Sequence, residues 1–381
     1  MKKKLPIILV LPTILLCFLL TSCRSDRPLV YSNPSYFGAA LRAVIYCKKD
    51  IFSTFAENAD ILLDNLDKSF NEQHENSDIG RFNASVDGEK IPVGEETYNL
   101  ILRVKETYTL TGGAFNPCVW YLTDLWGFSS RFSTSAKAET PYDREYSGEY
   151  LPLPGQKYVE AFKTLADFDK VLCYEEEGSF YLEKQNTLVT VEGVDYYAKL
   201  DLGGLIKGYA TEKLALLASS LGIGRGYISY GTSSVVALEN SKGKEFDLTL
   251  TNPRRSENAP DSFLRTSIKD ISVSSSGDYE RYYEIDGVRY CHIIDANSGA
   301  PVNNGIIAAT VICADATFAD MLSTALIVMG KEKALEFMAS EFVSENGVKI
   351  VFALNAGEKY EVYTNMAEDI AITDDRFSLA A

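Results

Sequence analysis

Three segments of this chain hold residue types and spacings able to act on phosphate. The first is Asp201-Leu-Gly-Gly-Leu-Ile-Lys-Gly-Tyr-Ala-Thr-Glu212, in which a strand-like run meets two glycines and passes directly into a helix start. Glycines let a ligand approach the backbone and let carbonyls turn toward a metal. Free amides at a helix N-terminus attract phosphate, and Lys207 adds a point charge. The same pattern also fits a glycine turn whose helix merely packs its lysine stem. It is not a Walker loop, because G-x-x-x-x-G-K-[ST] is absent. The second segment is Ala319-Asp-Met-Leu-Ser-Thr-Ala-Leu326, within an otherwise apolar helical stretch. Asp320 and Thr324 stand at i and i+4 and share a face, with Ser323 on its edge. A carboxylate buried among Met321, Leu322, Ala325 and Leu326 is costly unless a cation or donors satisfy it. One carboxylate, hydroxyls and a backbone carbonyl suit Mg²⁺. The alternative is a solvent-facing Asp320 with Thr324 bonded to its own helix. The third segment runs from Ser274 to Tyr282 and on through His292-Ile-Ile-Asp-Ala-Asn-Ser-Gly-Ala-Pro301. The hydroxyls of Ser275 and Ser276 can hold phosphate or ribose oxygens. His292 is a candidate general base, and Asp295 either orients its ring or serves as the base itself.

These segments need elements to position them. Apolar periodicity predicts a strand over Leu41–Cys47 and helices over Thr54–Phe70 and Glu95–Thr109. Short strands are predicted over Lys170–Tyr174, Ser179–Glu183, Thr187–Val191 and Ala198–Leu202. The helix Ile206–Leu221 follows, then strands Gly226–Tyr230, Phe246–Thr251 and Ile271–Ser274. Asp286-Gly287 reads as the turn of a hairpin between Tyr282–Ile285 and Val288–Ile294. Thr310–Cys313 precedes a helix over Ala314–Met329, and another helix begins near Lys331. Strand runs with hairpins and interleaved helices predict an α+β or mixed α/β fold with largely antiparallel pairing, not a doubly wound parallel sheet.

The ends and the composition set limits. Lys2, Lys3 and Lys4 precede an apolar run, Leu5 to Leu20, that leads into Leu20-Thr-Ser-Cys23. This is a secretory signal ending at a cysteine, and the tetrapeptide resembles a bacterial lipobox, making Cys23 the lipid attachment point. An uncleaved anchor helix is the alternative, but Pro12 and a sixteen-residue run are marginal for a bilayer of roughly 30 Å. Either way the body is expected on the extracytoplasmic face of the membrane, and more than one acyl chain at Cys23 would hold it there. The expected organisation is a signal peptide over 1–22, a tether over 23–36 and one domain over 37–381. Within that domain a Ser-, Pro- and Tyr-rich surface insertion is expected at about 129–160. Loss of the signal moves the net charge from −16 to −19, a surface that repels nucleic acid. An acidic protein that handles an anionic nucleotide needs a local cation, which points to a metal. Beyond Cys17 and Cys23 the cysteines are Cys47, Cys118, Cys173, Cys291 and Cys313, an odd number without a C-x-x-C, which reads as buried small hydrophobes. His74 and His292 are the two histidines, and neither has a cysteine pair nearby, which argues against zinc.

Taken together, the motifs resemble the ApbE family, the FAD:protein FMN transferases, from Phe37 to the helix ending near Met329. The family pattern D-L-[GS]-[GA]-x-x-K-G-Y-A-x-[DE] is met at Asp201–Glu212, and near matches occur at Ser275–Tyr282, His292–Pro301 and Ala319–Ala325. Ser77–Asn83 and Gly113–Val119 match two further blocks. The resemblance implies Mg²⁺, with Mn²⁺ as a substitute, held by the Gly204 carbonyl, Asp320, Thr324 and Ser323. It implies FAD contacts at Asp201 and Lys207, and a flavin or adenine border at Ala114, Phe115, Asn116 and Ile294. Phe37 and Gln73 stand at flavin-facing positions where the family more often has methionine and tyrosine or asparagine, and Asn116 replaces a usual aspartate. The implied activity is transfer of FMN from FAD to a threonine or serine hydroxyl of acceptor flavoprotein subunits of membrane redox complexes, releasing AMP. Attack by water would give FAD pyrophosphatase activity instead. The rival class is a flavin-binding or flavin-storing lipoprotein, which would leave FAD intact in the presence of Mg²⁺. A solute-binding lipoprotein would not need the Asp201–Glu212 and Asp320–Thr324 groups.

Overall fold

The computed structural model describes residues 27–34, 36–129, 153–238, 245–257, 259–269, 271–357 and 359–380. Cys23, the signal segment and most of the 129–160 insertion lie outside them. A nine-stranded sheet runs in the spatial order Leu29–Asn33, Leu41–Ile45, Gly226–Tyr230, Ser234–Leu238, Ser272–Gly277, Ile306–Cys313, Lys349–Asn355, Tyr360–Thr364 and Phe377–Leu379. Every neighbouring pair is antiparallel except the last, Tyr360–Thr364 with Phe377–Leu379. Eight helices accompany it among the described residues: α1 (Lys49–Phe70), α2 (Asp78–Ala84), α3 (Glu95–Leu110), α4 (Trp120–Leu125), α5 (Gln156–Leu165), α6 (Ile206–Ser220), α7 (Ala316–Met338) and α8 (Glu341–Glu345). The α+β class and the largely antiparallel pairing match the sequence reading. None of these helices is long and apolar enough to cross a membrane.

The central strand Ile306–Cys313 is buried at all eight positions, so its two faces serve two cores. Val311 and Cys313 join the core built by α1, α6 and α7. Ala308 and Ile312 join the core under the three-stranded sheet Phe246–Thr251, Ser262–Ile268 and Ile370–Ile372. A register shift between Ile306 and Ala308 brings Ile306 and Ala309 onto the same side, as an extra residue in one strand must. A third, aromatic cluster joins α4 and α5 around Tyr121, Trp126, Phe162 and Tyr196.

Four sequence expectations are corrected. The tether, 23–36, contains the edge strand Leu29–Asn33, paired with Leu41–Ile45, where Tyr31 is buried and donates to Asp60 of α1. Ala198–Leu202 is not a strand. Both its backbone bonds at Leu200 go to the Asn83 side-chain amide, at 2.9 and 2.8 Å, and the Asp201 amide donates to the Pro117 carbonyl at 2.7 Å. A side chain has replaced the neighbouring strand. The predicted surface insertion overlaps α5, whose Tyr158 and Val159 are buried. The two helices expected to meet between Met329 and Lys331 form one element that breaks at Gly330, where φ is +74°. Glycine alone adopts that conformation without strain, and Asn304 donates to the Ile327 carbonyl beside the break at 2.7 Å.

Candidate active site

The crossing of α6 over α7 sets the site's floor. A Cβ at Gly208 would overlap the Ala316 carbonyl oxygen and sit 2.6 Å from Asp320 Cβ, so only glycine allows this approach. The closeness lets the Gly208 amide donate to Asp320 Oδ2 at 2.8 Å. Arg103 of α3 fixes the same crossing by pairing with both Glu212 oxygens and with Asp315, while Glu212 accepts from the Thr317 hydroxyl at 2.7 Å. Glu212, the last residue of the glycine-rich segment, is therefore a tie between helices.

Asp320 is 3% exposed. Its Oδ1 accepts from Ser274 at 2.9 Å and from Ser234 at 3.2 Å, and these two serines face each other across paired strands. Ser276 lies two residues along the same face and bonds Ser323 at 2.8 Å and Thr324 at 3.1 Å. Gly204 completes the group: a Cβ there would be 3.8 Å from Thr324 Oγ1 and 3.2 Å from the Phe115 ring. The result is a knot of oxygens around one buried carboxylate. Among the described residues no lysine or arginine pairs with Asp320, and no cluster of three His, Cys, Asp or Glu side chains is present. An all-oxygen donor set with a single carboxylate fits a hard cation that keeps positions for water and phosphate. It does not fit zinc.

Above this floor opens a cavity of about 1000 Å³, at the upper end of the usual range for small-ligand sites and roomy enough for a dinucleotide. Phe37, Gln73, Asp201, Lys207 and His292 all line it. Its charged lining comprises Lys207, Arg254, Arg255, Arg281 and Arg289 against Glu72, Asp201 and Glu280, a cationic excess in a chain of net charge −16. Asp201 accepts from the Gly203 amide at 2.8 Å, which holds the glycine turn. Arg254 is fixed by two 2.7 Å bonds to Asp278. His292 Nδ1 is buried without a hydrogen-bond partner. Burial, reinforced by Arg281 and Lys207, pushes the imidazole down to about 3, so the ring is neutral at physiological pH and, without an anion beside those two cations, a weak base.

The structure places several predicted site residues away from the cavity. Asp295 neither contacts His292 nor lines the cavity, because its oxygens accept from the Asn297 and Ser298 amides at 2.9 and 3.2 Å and cap their turn. Ser275 points to the opposite face of the sheet from Ser274 and Ser276 and bonds Thr310 at 2.8 Å. Ile294 is buried in the aromatic cluster, paired with Pro301. Ala114, Phe115 and Asn116 do not line the cavity, and neither do Gly204, Ser276, Asp320, Ser323 and Thr324, which lie behind its wall at Gly203 and Lys207. Asn116 caps the following turn at Cys118 and donates to the Ala166 carbonyl, while Phe115 packs beneath the glycine turn. Sequence reasoning passed over Ser234, Ser274, Glu72 and the arginines. Ser274 was findable, since period-two alternation puts it beside Ser276, and Arg281 lay inside a quoted motif. Glu72 and Arg254 carried no local signal.

Known proteins resemble this chain over most of its length. A relative from Escherichia coli (strain K12), named FAD:protein FMN transferase, is 27% identical over 301 residues, covering 79% of this chain and 77% of that protein. One of the same name from Treponema pallidum is 25% identical over 353 residues, covering 90% and 89%. The crystal structure of the ApbE protein from Thermotoga maritima superposes with a TM-score of 0.72 at 27% identity, over 90% of this chain and 98% of that one. The ApbE family pattern matches residues 37–352, a span that includes the oxygen knot, the glycine turn and His292, and the chain belongs to the ApbE family.

Proposed function

We propose that this protein moves the FMN half of FAD onto a threonine or serine hydroxyl of acceptor flavoproteins, with Mg²⁺ as its metal and AMP as the leaving product. The observation that carries the reading is how close the oxygen knot lies to the cationic cavity: Lys207 lines the cavity, and the next residue, Gly208, donates its amide to Asp320. Asp320, Thr324, Ser323 and the Gly204 carbonyl would hold the metal. Bound there, Mg²⁺ would neutralise charge on the diphosphate oxygens. Lys207 and Arg281 favour the same charge from the protein side. His292 takes the proton of the acceptor hydroxyl, the freed oxygen pair forms a bond to the FMN phosphorus, and the phosphorus–oxygen bond to AMP breaks with its electrons leaving on AMP. Anionic diphosphate beside Lys207 and Arg281 offsets the two cations that depress His292, so substrate itself makes the imidazole a stronger base. Water in place of the hydroxyl gives FMN and AMP, the hydrolytic side reaction.

The same reading puts the protein on the extracytoplasmic side, held to a membrane through lipid on Cys23. Cys23→Ser is expected either to leave the precursor unprocessed or to release the protein from the detergent phase; maturation at the same residue with lipid partitioning would remove the anchor from the proposal. For the chemistry, the full chain is incubated in detergent with FAD, Mg²⁺ and a candidate acceptor, and the products are weighed by mass spectrometry. An acceptor heavier by FMN, with AMP in solution, is the expected result. FAD that stays intact would favour a storage protein instead.

A further inference from the structure

Among the described residues two buried side-chain polar atoms lack a hydrogen-bond partner, His292 Nδ1 and Glu72 Oε2. Both residues line the cavity. The reaction uses His292 but gives Glu72 nothing to do. Glu72 follows the end of α1, between Asn71 and Gln73, in a turn fixed by Ser77 donating to the Asn71 carbonyl at 2.7 Å and by the Gln73 amide donating to Asn71 Oδ1 at 3.0 Å. The groups that face it are Trp120, which hydrogen-bonds the carboxyl, Lys199, Asp124 and Asp201. A buried polar atom left unpaired costs about 1–3 kcal/mol, and on a cavity wall a ligand is what can complete it.

We propose that Glu72 reads the heterocycle of a bound nucleotide, its carboxyl O–H donating to a carbonyl oxygen or unprotonated ring nitrogen on the ring's edge. The inference rests on the flavin dinucleotide reading above. Phosphate is the wrong occupant for this corner, since a second and third carboxyl, Asp201 and Asp124, stand near Glu72 against one cation, Lys199. A neutral ring edge with acceptor atoms is the right one. Burial, then the charge of Asp201, pushes the Glu72 carboxyl up to about 8, so at neutral pH it carries the proton that it would donate. As pH rises through that value the donor becomes an anion and the bond turns repulsive.

The test titrates FAD into the full-length protein in detergent by flavin fluorescence, between about pH 6 and pH 9.5, for wild type, Glu72→Gln and Glu72→Leu. Wild type is expected to hold its affinity to about pH 7.5 and then lose up to about tenfold per pH unit. Glu72→Gln keeps an N–H donor and is expected to bind with a flat profile. Glu72→Leu is expected to bind about five- to tenfold more weakly at neutral pH, the loss of one hydrogen bond. FMN and AMP titrated separately identify the half that is read, as the half whose affinity the Leu variant lowers. Should Glu72→Leu prove unstable, the wild-type and Gln profiles decide alone. A wild-type profile as flat as that of Glu72→Gln, or a Leu variant as tight as wild type, overturns the role of Glu72 while leaving the function standing. Wild type that binds no FAD at any pH overturns the dinucleotide reading and this inference with it.

Discussion

The oxygen knot and the cavity wall above it are built on opposite principles. In the knot the hydroxyl and carboxylate oxygens have protein partners: Asp320 receives Gly208, Ser234 and Ser274, and Ser276 bridges Ser323 and Thr324. On the wall, Glu72 and His292 each present a buried polar atom with none. A satisfied network is stiff and holds its geometry before any ligand arrives. An unsatisfied atom is a standing cost that ligand contact relieves. On the proposed function, the protein separates a preorganised part, which would position a metal and phosphate, from a part whose hydrogen bonds would form on binding. Substitutions in the two regions should fail differently.

The largest expected effect is at the knot's centre. Asp320→Ala deletes its one carboxylate and strands three donors, and turnover is expected to fall by about a hundredfold or more, as loss of several kcal/mol of charge stabilisation requires. EDTA should have the same effect on wild type and Mg²⁺ or Mn²⁺ should restore it, while a zinc-selective chelator should do nothing. Full turnover in Asp320→Ala would break the distinction at its root. The wall comes next. His292→Ala is expected to lose at least about tenfold in turnover, with FAD affinity changed much less, since a positioned imidazole contributes about 10²–10⁴-fold. His74→Ala, which removes an exposed ring paired with the mostly buried Asp67 of α1, should behave as wild type. The pH profile sharpens this further. Free His292 is held near 3, so kcat/KM should show no histidine limb between about pH 5 and pH 8. Anionic substrate raises the imidazole, so the acid limb of kcat should lie at higher pH than that of kcat/KM. An acid limb near the ordinary histidine value in the free enzyme would contradict the burial of the ring.

A smaller effect, on stability, tests the joint beneath both regions. Gly208→Ala must push α6 off the Ala316 carbonyl and Asp320 Cβ, neither of which is the end of a flexible side chain. Overpacking of this kind costs about 1–3 kcal/mol. A lowered thermal midpoint with weakened activity is the expected result. An unchanged midpoint would mean that the helices do not meet as closely as the Gly208–Asp320 bond requires.

The same contrast explains what the sequence could reveal. The helices and hairpin around the knot were legible because local rules dictate them: the strand Tyr282–Ile285 and the turn Asp286-Gly287 appear as read, and Asp320 with Thr324 share the face that the i, i+4 spacing demands. The edge strand Leu29–Asn33 was hidden because its pairing partner decides it, not its composition. Ala198–Leu202 looked like a strand because it is extended, yet its partner is the Asn83 side chain from a distant helix. Spacing alone cannot announce such a substitution. Asp295 misled for a different reason. Three residues from His292 in sequence is not adjacency when the aspartate is drawn into its own turn. Glu72 and the arginines were invisible because a cavity wall is assembled from segments that no single window spans.

The smallest expected effect separates neighbours in one strand. Ser274, Ser275 and Ser276 are chemically identical and equally plausible in sequence, but side chains alternate along a strand, so only Ser274 and Ser276 turn toward α7. Ser274→Ala removes one of the two hydroxyl donors to Asp320 Oδ1. A hydrogen bond to a charged group is worth about 1.5–3 kcal/mol, and Ser234, 3.2 Å away, can tighten to recover part of it. A loss of about fivefold in metal affinity with a modest fall in thermal midpoint is therefore expected. Ser275→Ala strands the Thr310 hydroxyl on the far face, so its cost falls on stability, and it should leave metal affinity and turnover within about twofold of wild type. Calorimetric titration of Mg²⁺ or Mn²⁺ into the two variants reads the difference directly. Equal losses in both would mean that the strand is rotated or shifted by one residue, and the knot would then have to be rebuilt around Ser275.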